Sequence, residues 1–364
     1  MARTRIVSES GKEAVLYQKL KGDTLKCVAC KHYCTIAEGK VGICSTRGNE
    51  GGKLYSYVYG RPAAVNMDPV EKKPLFHHNP GTMLFSIGTY GCNFRCSFCQ
   101  NWEMSQFPKQ EAGKEADNAR NLIQQKSNTL PPEMAVKLAL QYKADGIAYT
   151  YNEPAIWAEY AEDIAKLAAS EGLSNAFISS GYESEEALDY LKHIDTYKID
   201  LKGFTEDFYA RNCGTKLSNV LDTIKSVYKR GKHLEIVTLV IPGENDSDGQ
   251  LNGMAEFIAG IDPNIPWHVT QFHPDYKMAN KPVTPVETLI KARNIGKKAG
   301  LRYVYIGNAY VPGGEDTHCP KCNALLVGRD SFNVNFFDIT PEGKCPKCGE
   351  EIYGVWHKAI VYPY

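Results

Sequence analysis

Between residues 83 and 306 the chain alternates short apolar runs with amphipathic stretches. The runs Met83–Ile87, Gly146–Thr150, Ala176–Ser179, Tyr197–Leu201, Glu235–Ile241, His268–Phe272 and Tyr303–Ile306 have the length and near-continuous apolarity of buried strands. Helices are predicted over Pro132–Tyr142, Ala155–Ser170, Glu183–Lys192, Ser218–Lys229, Gly249–Ala259 and Pro285–Lys298. In Ser218–Lys229, for example, Val220, Leu221, Ile224, Val227 and Tyr228 recur at helical spacing. Strands alternating with helices make βαβ units, so the fold class is α/β: a full or partial (β/α) barrel with its functional groups at the C-terminal ends of the strands. Ser105–Pro131 is polar and weakly periodic, and reads as a long, partly irregular insertion. Two cysteine-rich segments flank this region. One covers 1–80, with a glycine turn (Gly48, Gly51, Gly52) and alternating residues over Leu54–Val65; the other covers 312–364 and opens on Gly313-Gly314. The expected division is therefore 1–80, 81–311 and 312–364.

Composition narrows the function classes. The 364 residues carry 42 Lys+Arg against 42 Asp+Glu, so no net field draws the chain to nucleic acid or anionic lipid. The apolar runs, such as Ile236–Ile241, fall far short of the about 20 residues that span a bilayer. Met1–Leu20 holds no apolar stretch of the secretory type. A soluble, cytoplasmic protein without membrane or nucleic-acid partners is expected.

The twelve cysteines change the picture. In so long a chain, grouped thiols point to metal rather than to a disulfide framework. All but Cys213 fall into three groups: Cys27, Cys30, Cys34 and Cys44; Cys92, Cys96 and Cys99; and Cys319, Cys322, Cys345 and Cys348. The middle group follows the first predicted strand directly, in Gly91-Cys92-Asn93-Phe94-Arg95-Cys96-Ser97-Phe98-Cys99-Gln100-Asn101. A structural zinc site takes four ligands, and this loop offers three thiols and no histidine. Three sulfurs suit a [4Fe–4S] cluster with one iron left open to a small molecule. Zinc completed by a distant His77 or His78 is the alternative.

The C-x3-C-x2-C loop resembles that of the radical S-adenosylmethionine (SAM) enzymes. Asp68-Pro69-Val70-Glu71-Lys72-Lys73-Pro74-Leu75, followed by Pro80-Gly81, is similar to relatives of pyruvate formate-lyase activating enzyme. Tyr303-Val304-Tyr305-Ile306-Gly307-Asn308, the two Cys-Pro-Lys-Cys knuckles and Gly354-Val355-Trp356 resemble the radical SAM member of the AmmeMemoRadiSam system. The resemblance implies a cluster held by Cys92, Cys96 and Cys99, with SAM as cofactor. A 5′-deoxyadenosyl radical would abstract hydrogen from a small-molecule or peptide substrate, or from a partner's glycine as in the activases. It also implies a reductant such as ferredoxin or flavodoxin, and company with AMME-domain and Memo-family proteins. Tyr149-Thr150-Tyr151-Asn152-Glu153-Pro154 is similar to the family's Gly-Gly-Glu-Pro element, placing Asn152 and Glu153 at the SAM amino group, with Tyr151 and Asn152 standing where the family has glycines. Ser179 and Ser180 end the third strand, Asp200 and Lys202 the fourth; Asn245 lies in a loop similar to the family's adenine and ribose loop, and His273 ends the sixth strand. These complete the candidate cofactor contacts. On the residues alone, Asp200 and Lys202 also read as an intra-sheet ion pair, and Asn152 as a helix cap.

The outer groups are metal knuckles of a more general kind. Cys319, Cys322, Cys345 and Cys348 predict a zinc ribbon or a rubredoxin-like iron. Cys27, Cys30, Cys34 and Cys44 suit zinc or an auxiliary [4Fe–4S] cluster. Cys213 reads as a buried structural thiol, with a methyl-accepting role in a cluster-bearing methyltransferase as the alternative. Zinc at all sites would instead make the chain a non-catalytic docking scaffold.

Overall fold

A computed structural model describes residues 11–362. By contact density they form two units that interleave along the chain: 11–67, 85–95 and 99–195 in the first, and 68–84, 96–98 and 196–362 in the second.

In the first unit, Gly146–Tyr149 pairs in parallel with Ser174–Ser179, in a register that sets Phe177 opposite Tyr149. The strand containing Phe85–Thr89 is their neighbour. The predicted helix over Ala155–Ser170 forms as a short 3-10 turn, Pro154–Trp157, running into an α-helix over Ala158–Ser170. Ser105–Pro131 is more regular than its polarity predicts, since it contains a helix over Ala116–Lys126. That helix buries only Ala116, Ala119 and Ile123, a stripe too small to stand out in the sequence. Its Arg120 also pairs with Glu50 at 2.5 Å.

The N-terminal segment is fastened to this unit by charge. The two terminal nitrogens of Arg47 each meet an oxygen of Glu159 at 2.7 Å, with both side chains almost wholly buried. Glu159 also accepts the backbone N–H groups of Val15 and Leu16, each at 3.2 Å. Burial opposes its ionisation, but Arg47 more than offsets that and holds the carboxyl at about 2. Glu159→Gln strands the guanidinium and is expected to cost about 3–5 kcal/mol in urea unfolding at neutral pH. Because the folded-state pKa is depressed, the native pair's contribution is intact above the ordinary carboxylate range and fades as pH falls from there towards about 2. The difference between native protein and variant should shrink over the same window.

In the second unit, Thr196–Asp200, His233–Val240, Trp267–Gln271 and Val304–Gly307 pair consecutively and in parallel. The registers Asp200↔Val237, Val240↔Gln271 and Thr270↔Gly307 bring their C-terminal ends to one edge. Helices Leu217–Lys229, Asp248–Ile261 and Val286–Lys298 connect them, within a few residues of the predicted spans. At the start of His233–Val240, the fully buried Glu235 accepts from the backbone N–H groups of Phe76 and His77 and pairs with His268 at 2.7 Å and His233 at 3.0 Å. This explains a carboxylate inside an otherwise apolar strand. The α/β expectation holds in both units. Among the described residues, no helix is long and apolar enough to cross a membrane.

Candidate metal and cofactor site

The loop that carries Cys92, Cys96 and Cys99 leaves the end of strand Met83–Thr89. On the first unit's side its backbone is tightly held. Gly91 donates to Met104 O at 3.0 Å, and Phe94 O accepts from Gln106 Nε2 and Lys109 Nζ. The Phe94 amide donates to Cys92 Sγ at 3.4 Å, and Cys99 Sγ lies 3.2 Å from Ser105 Oγ. Donors of this kind favour thiolate ligands.

The Glu153 turn meets this loop through Asn152. Its Nδ2 donates to Gly91 O at 2.7 Å and Thr89 Oγ1 at 3.0 Å, while its Oδ1 accepts from the Thr89 amide and the Trp157 indole. The side chain thus holds the stem of the cysteine loop with all its polar capacity. Tyr151, one of the two residues in place of the family's glycines, has φ +70°, the left-handed conformation glycine adopts freely. The turn keeps a glycine-like backbone without the glycine. Gly88 makes room for it, since a side chain there would stand 2.7 Å from Thr150 O.

Glu153 is buried, as is Ser179. Its carboxylate accepts from Ser180 N at 2.6 Å, Ser179 Oγ at 2.9 Å and Ala155 N at 3.3 Å. The predicted residues Glu153, Ser179 and Ser180 therefore form one cluster. Burial first, and then the nearby Glu183, push Glu153 up to about 8. Such a carboxyl is poised to ionise when a cation arrives.

Within the second unit, Cys96 is buried against Cys213, and this contact together with burial pushes its thiol well up. Lys202 acts on both sulfurs electrostatically and bonds Asp200 at 2.8 Å; Asp200 also pairs with Lys198. Burial opposes ionisation of Asp200, but the two lysines hold it at about 2. The Asp200–Lys202 ion pair therefore exists and reaches the loop cysteine as well. Asn245 turns its amide to the backbone, donating to Lys202 O at 2.7 Å and Leu239 O at 2.8 Å and accepting from Ile241 N at 2.6 Å. His273 is exposed and makes no hydrogen bond or ion pair among the described residues. Sequence reading missed the place of Cys213, which stands beside a loop cysteine rather than alone. It also missed Glu183, whose position in Gly181-Tyr182-Glu183 carries no recognisable signal.

Cys319, Cys322, Cys345 and Cys348 converge within 4.8 Å, the one such group of three or more thiol, imidazole or carboxylate donors among the described residues. Sulfur separations of 3.5 Å (Cys319–Cys348) and 3.7 Å (Cys322–Cys345) match a tetrahedral ion, whose bonds of about 2.3 Å put sulfurs roughly 3.8 Å apart. Each knuckle closes with a left-handed residue just after its second cysteine, Asn323 or Gly349. Cys92, Cys96 and Cys99 form no disulfide.

Residues 86–251 match the Radical SAM superfamily. An uncharacterized protein of Methanocaldococcus jannaschii is 41% identical over 345 residues, covering 94% of this chain and 98% of its own. The pyruvate formate-lyase-activating enzyme of Clostridium pasteurianum is 27% identical over 180 residues, covering 47% of this chain and 67% of the relative. A solved domain of pyruvate-formate lyase-activating enzyme from Bacteroides vulgatus aligns with TM-score 0.40 and 21% identity, over 45% of this chain and all of that one. Residues 86–251 thus carry a radical SAM superfamily match, and part of the chain is similar to glycyl-radical enzyme activases.

Proposed function

We propose that the chain is a radical SAM enzyme acting by hydrogen abstraction on a small-molecule or peptide substrate, with Cys92, Cys96 and Cys99 as the cluster ligands. When bound, the cluster and SAM supply an electron for reductive cleavage of the sulfonium and a carbon radical that takes hydrogen. The observation that carries the reading is the firmly held three-thiol loop at a strand's C-terminal end, with the buried Glu153–Ser179–Ser180 cluster tied to its stem through Asn152.

In this reading the protein's own groups have separate tasks. Glu153 receives the SAM ammonium and gives up its proton as it does so. Ser179 and the Ser180 amide fix the carboxylate's orientation, and Asn152 fixes the loop. Lys202 keeps positive charge beside the Cys96 thiolate, with Asn245 setting its backbone. The C-terminal four cysteines hold zinc or a single iron as a structural centre. A ferredoxin or flavodoxin supplies electrons, and AMME-domain and Memo-family proteins are the partners to test first. The test of function is reduction of the anaerobically reconstituted protein with dithionite and SAM. Formation of 5′-deoxyadenosine and methionine is expected; intact SAM would overturn the reading.

Relatives named as activases favour a second reading, in which the hydrogen donor is a partner's glycine. An EPR doublet on a co-incubated glycyl-radical enzyme would establish it.

Glu153→Gln separates binding from folding. Loss of the charge-assisted bond, worth about 1.5–3 kcal/mol, should weaken SAM binding roughly 10- to 100-fold by calorimetry. The stability effect runs the other way. The raised pKa means that native protein loses stability as pH climbs from the ordinary carboxylate range through about 8, whereas the neutral glutamine does not titrate. The variant's melting temperature, relative to native, should therefore rise from about pH 5 to about pH 9. A constant difference would remove Glu153 as a buried acid.

A further inference from the structure

We propose that Cys27, Cys30, Cys34 and Cys44 hold an auxiliary [4Fe–4S] cluster that relays single electrons to the Cys92 loop, a role resting on the radical SAM reading above.

Two turns present these thiols together. Cys27 ends strand Leu25–Cys27 and donates its backbone N–H to Cys34 O at 2.9 Å. Gly42 packs on the second turn, where a side chain would stand 3.5 Å from Cys34 Sγ. Cys27, Cys30 and Cys44 are buried and Cys34 partly so; all four are free thiols. They interact electrostatically with one another. Four grouped, largely buried thiols supply the complete ligand set of a [4Fe–4S] cluster.

Arg47 is the independent sign of a ligand. It is 1% exposed, and its two terminal nitrogens are taken up by Glu159 and Ile156 O. Its Nε has no hydrogen-bond partner, and the guanidinium acts electrostatically on both Cys27 and Cys44. Thr46 Oγ1 meanwhile donates to Cys44 Sγ at 3.2 Å. A buried guanidinium with an unsatisfied N–H, coupled by charge to two of these cysteines, fits an anionic metal centre held by them.

The quartet also adjoins the radical loop. His32 Nε2 lies 3.1 Å from Asn93 O. The Asn93 side chain reaches Cys92 Sγ at 3.9 Å and interacts with Cys30. Gly91 has no space for a side chain, since a Cβ would fall 2.7 Å from Cys44 O. Electron flow balances without atom transfer. A low-potential one-electron carrier protein reduces the auxiliary cluster from the 2+ to the 1+ state, and the same electron passes to the centre at the Cys92 loop.

The test uses the full chain, anaerobically reconstituted. Native protein should contain about eight acid-labile sulfides, and the Cys27→Ser/Cys44→Ser variant about four. The variant should also lose a SAM-insensitive EPR component while keeping the SAM-sensitive one. About four sulfides in native protein, with zinc at the N-terminal site, would overturn the proposal even if the variant fails to fold. So would equal sulfide in native and variant. Failure of the radical SAM reading shows differently, as the absence of any SAM-sensitive component in native protein.

Discussion

Cys96→Ala should abolish SAM cleavage while leaving a folded protein. Cys96 is 7% exposed on a loop whose neighbour Ser97 donates to Asn212 O at 2.9 Å and accepts from the Lys277 amide at 3.0 Å. Those backbone bonds survive the substitution, so the chain keeps its loop while the metal loses a ligand. Two thiols cannot replace three, because each sulfur serves one iron. 5′-Deoxyadenosine formation should fall to background, and about four irons and four sulfides should be lost per chain. Cys213→Ala is the control. It removes the thiol beside Cys96 but none of the three loop cysteines, so the iron content should be retained. Wild-type cleavage by Cys96→Ala would refute the ligand assignment.

Stripping the metal from the C-terminal four cysteines should produce the largest loss of stability. Those thiols belong to a core that includes Phe76, Tyr303, Tyr305, Leu326, Val327, Val334, Ile352 and Trp356. Metal binding to small four-ligand modules is worth about 10–16 kcal/mol at neutral pH, and that binding is coupled to folding. The strands here are short: Thr317–His318, Leu325–Asp330 and Asn333–Phe337. Without the ion, four sulfurs within 4.8 Å remain as thiols with little to hold the knuckles closed. Chelation or Cys345→Ser should therefore lower the melting temperature by about 10 °C or more. Refolding with zinc should reverse the chelator's effect but not the mutation's. An unchanged melting temperature after verified metal removal would make the site ornamental to folding.

Much of the fold was readable in the residues themselves. The seven strands announced themselves because parallel strands buried on both faces are near-continuous apolar runs. The cysteine loop leaves the end of the first predicted strand, where the sequence placed it. Other parts depend on contacts remote in sequence. Cys213 looked solitary because its neighbour Cys96 lies more than a hundred positions away. Asn152 and Asn245 sit in segments similar to cofactor loops, yet both spend their amides on partners within the protein, which a motif cannot reveal. The left-handed Tyr151 preserves a glycine's conformation with a different residue, so the motif is altered while the turn is kept. Helix Ala116–Lys126 escaped notice because two alanines and one isoleucine form its entire buried face. The interleaving of the two units is likewise hidden, since chain order says nothing of which distant segments pack together.

The most direct test of the central claim is EPR of the anaerobically reconstituted, dithionite-reduced protein, recorded with and without SAM. The account predicts a [4Fe–4S]⁺ signal with a component that shifts on SAM addition, and that component disappears in Cys96→Ala. A signal indifferent to SAM, or no cluster signal after reconstitution with iron and sulfide, would contradict it.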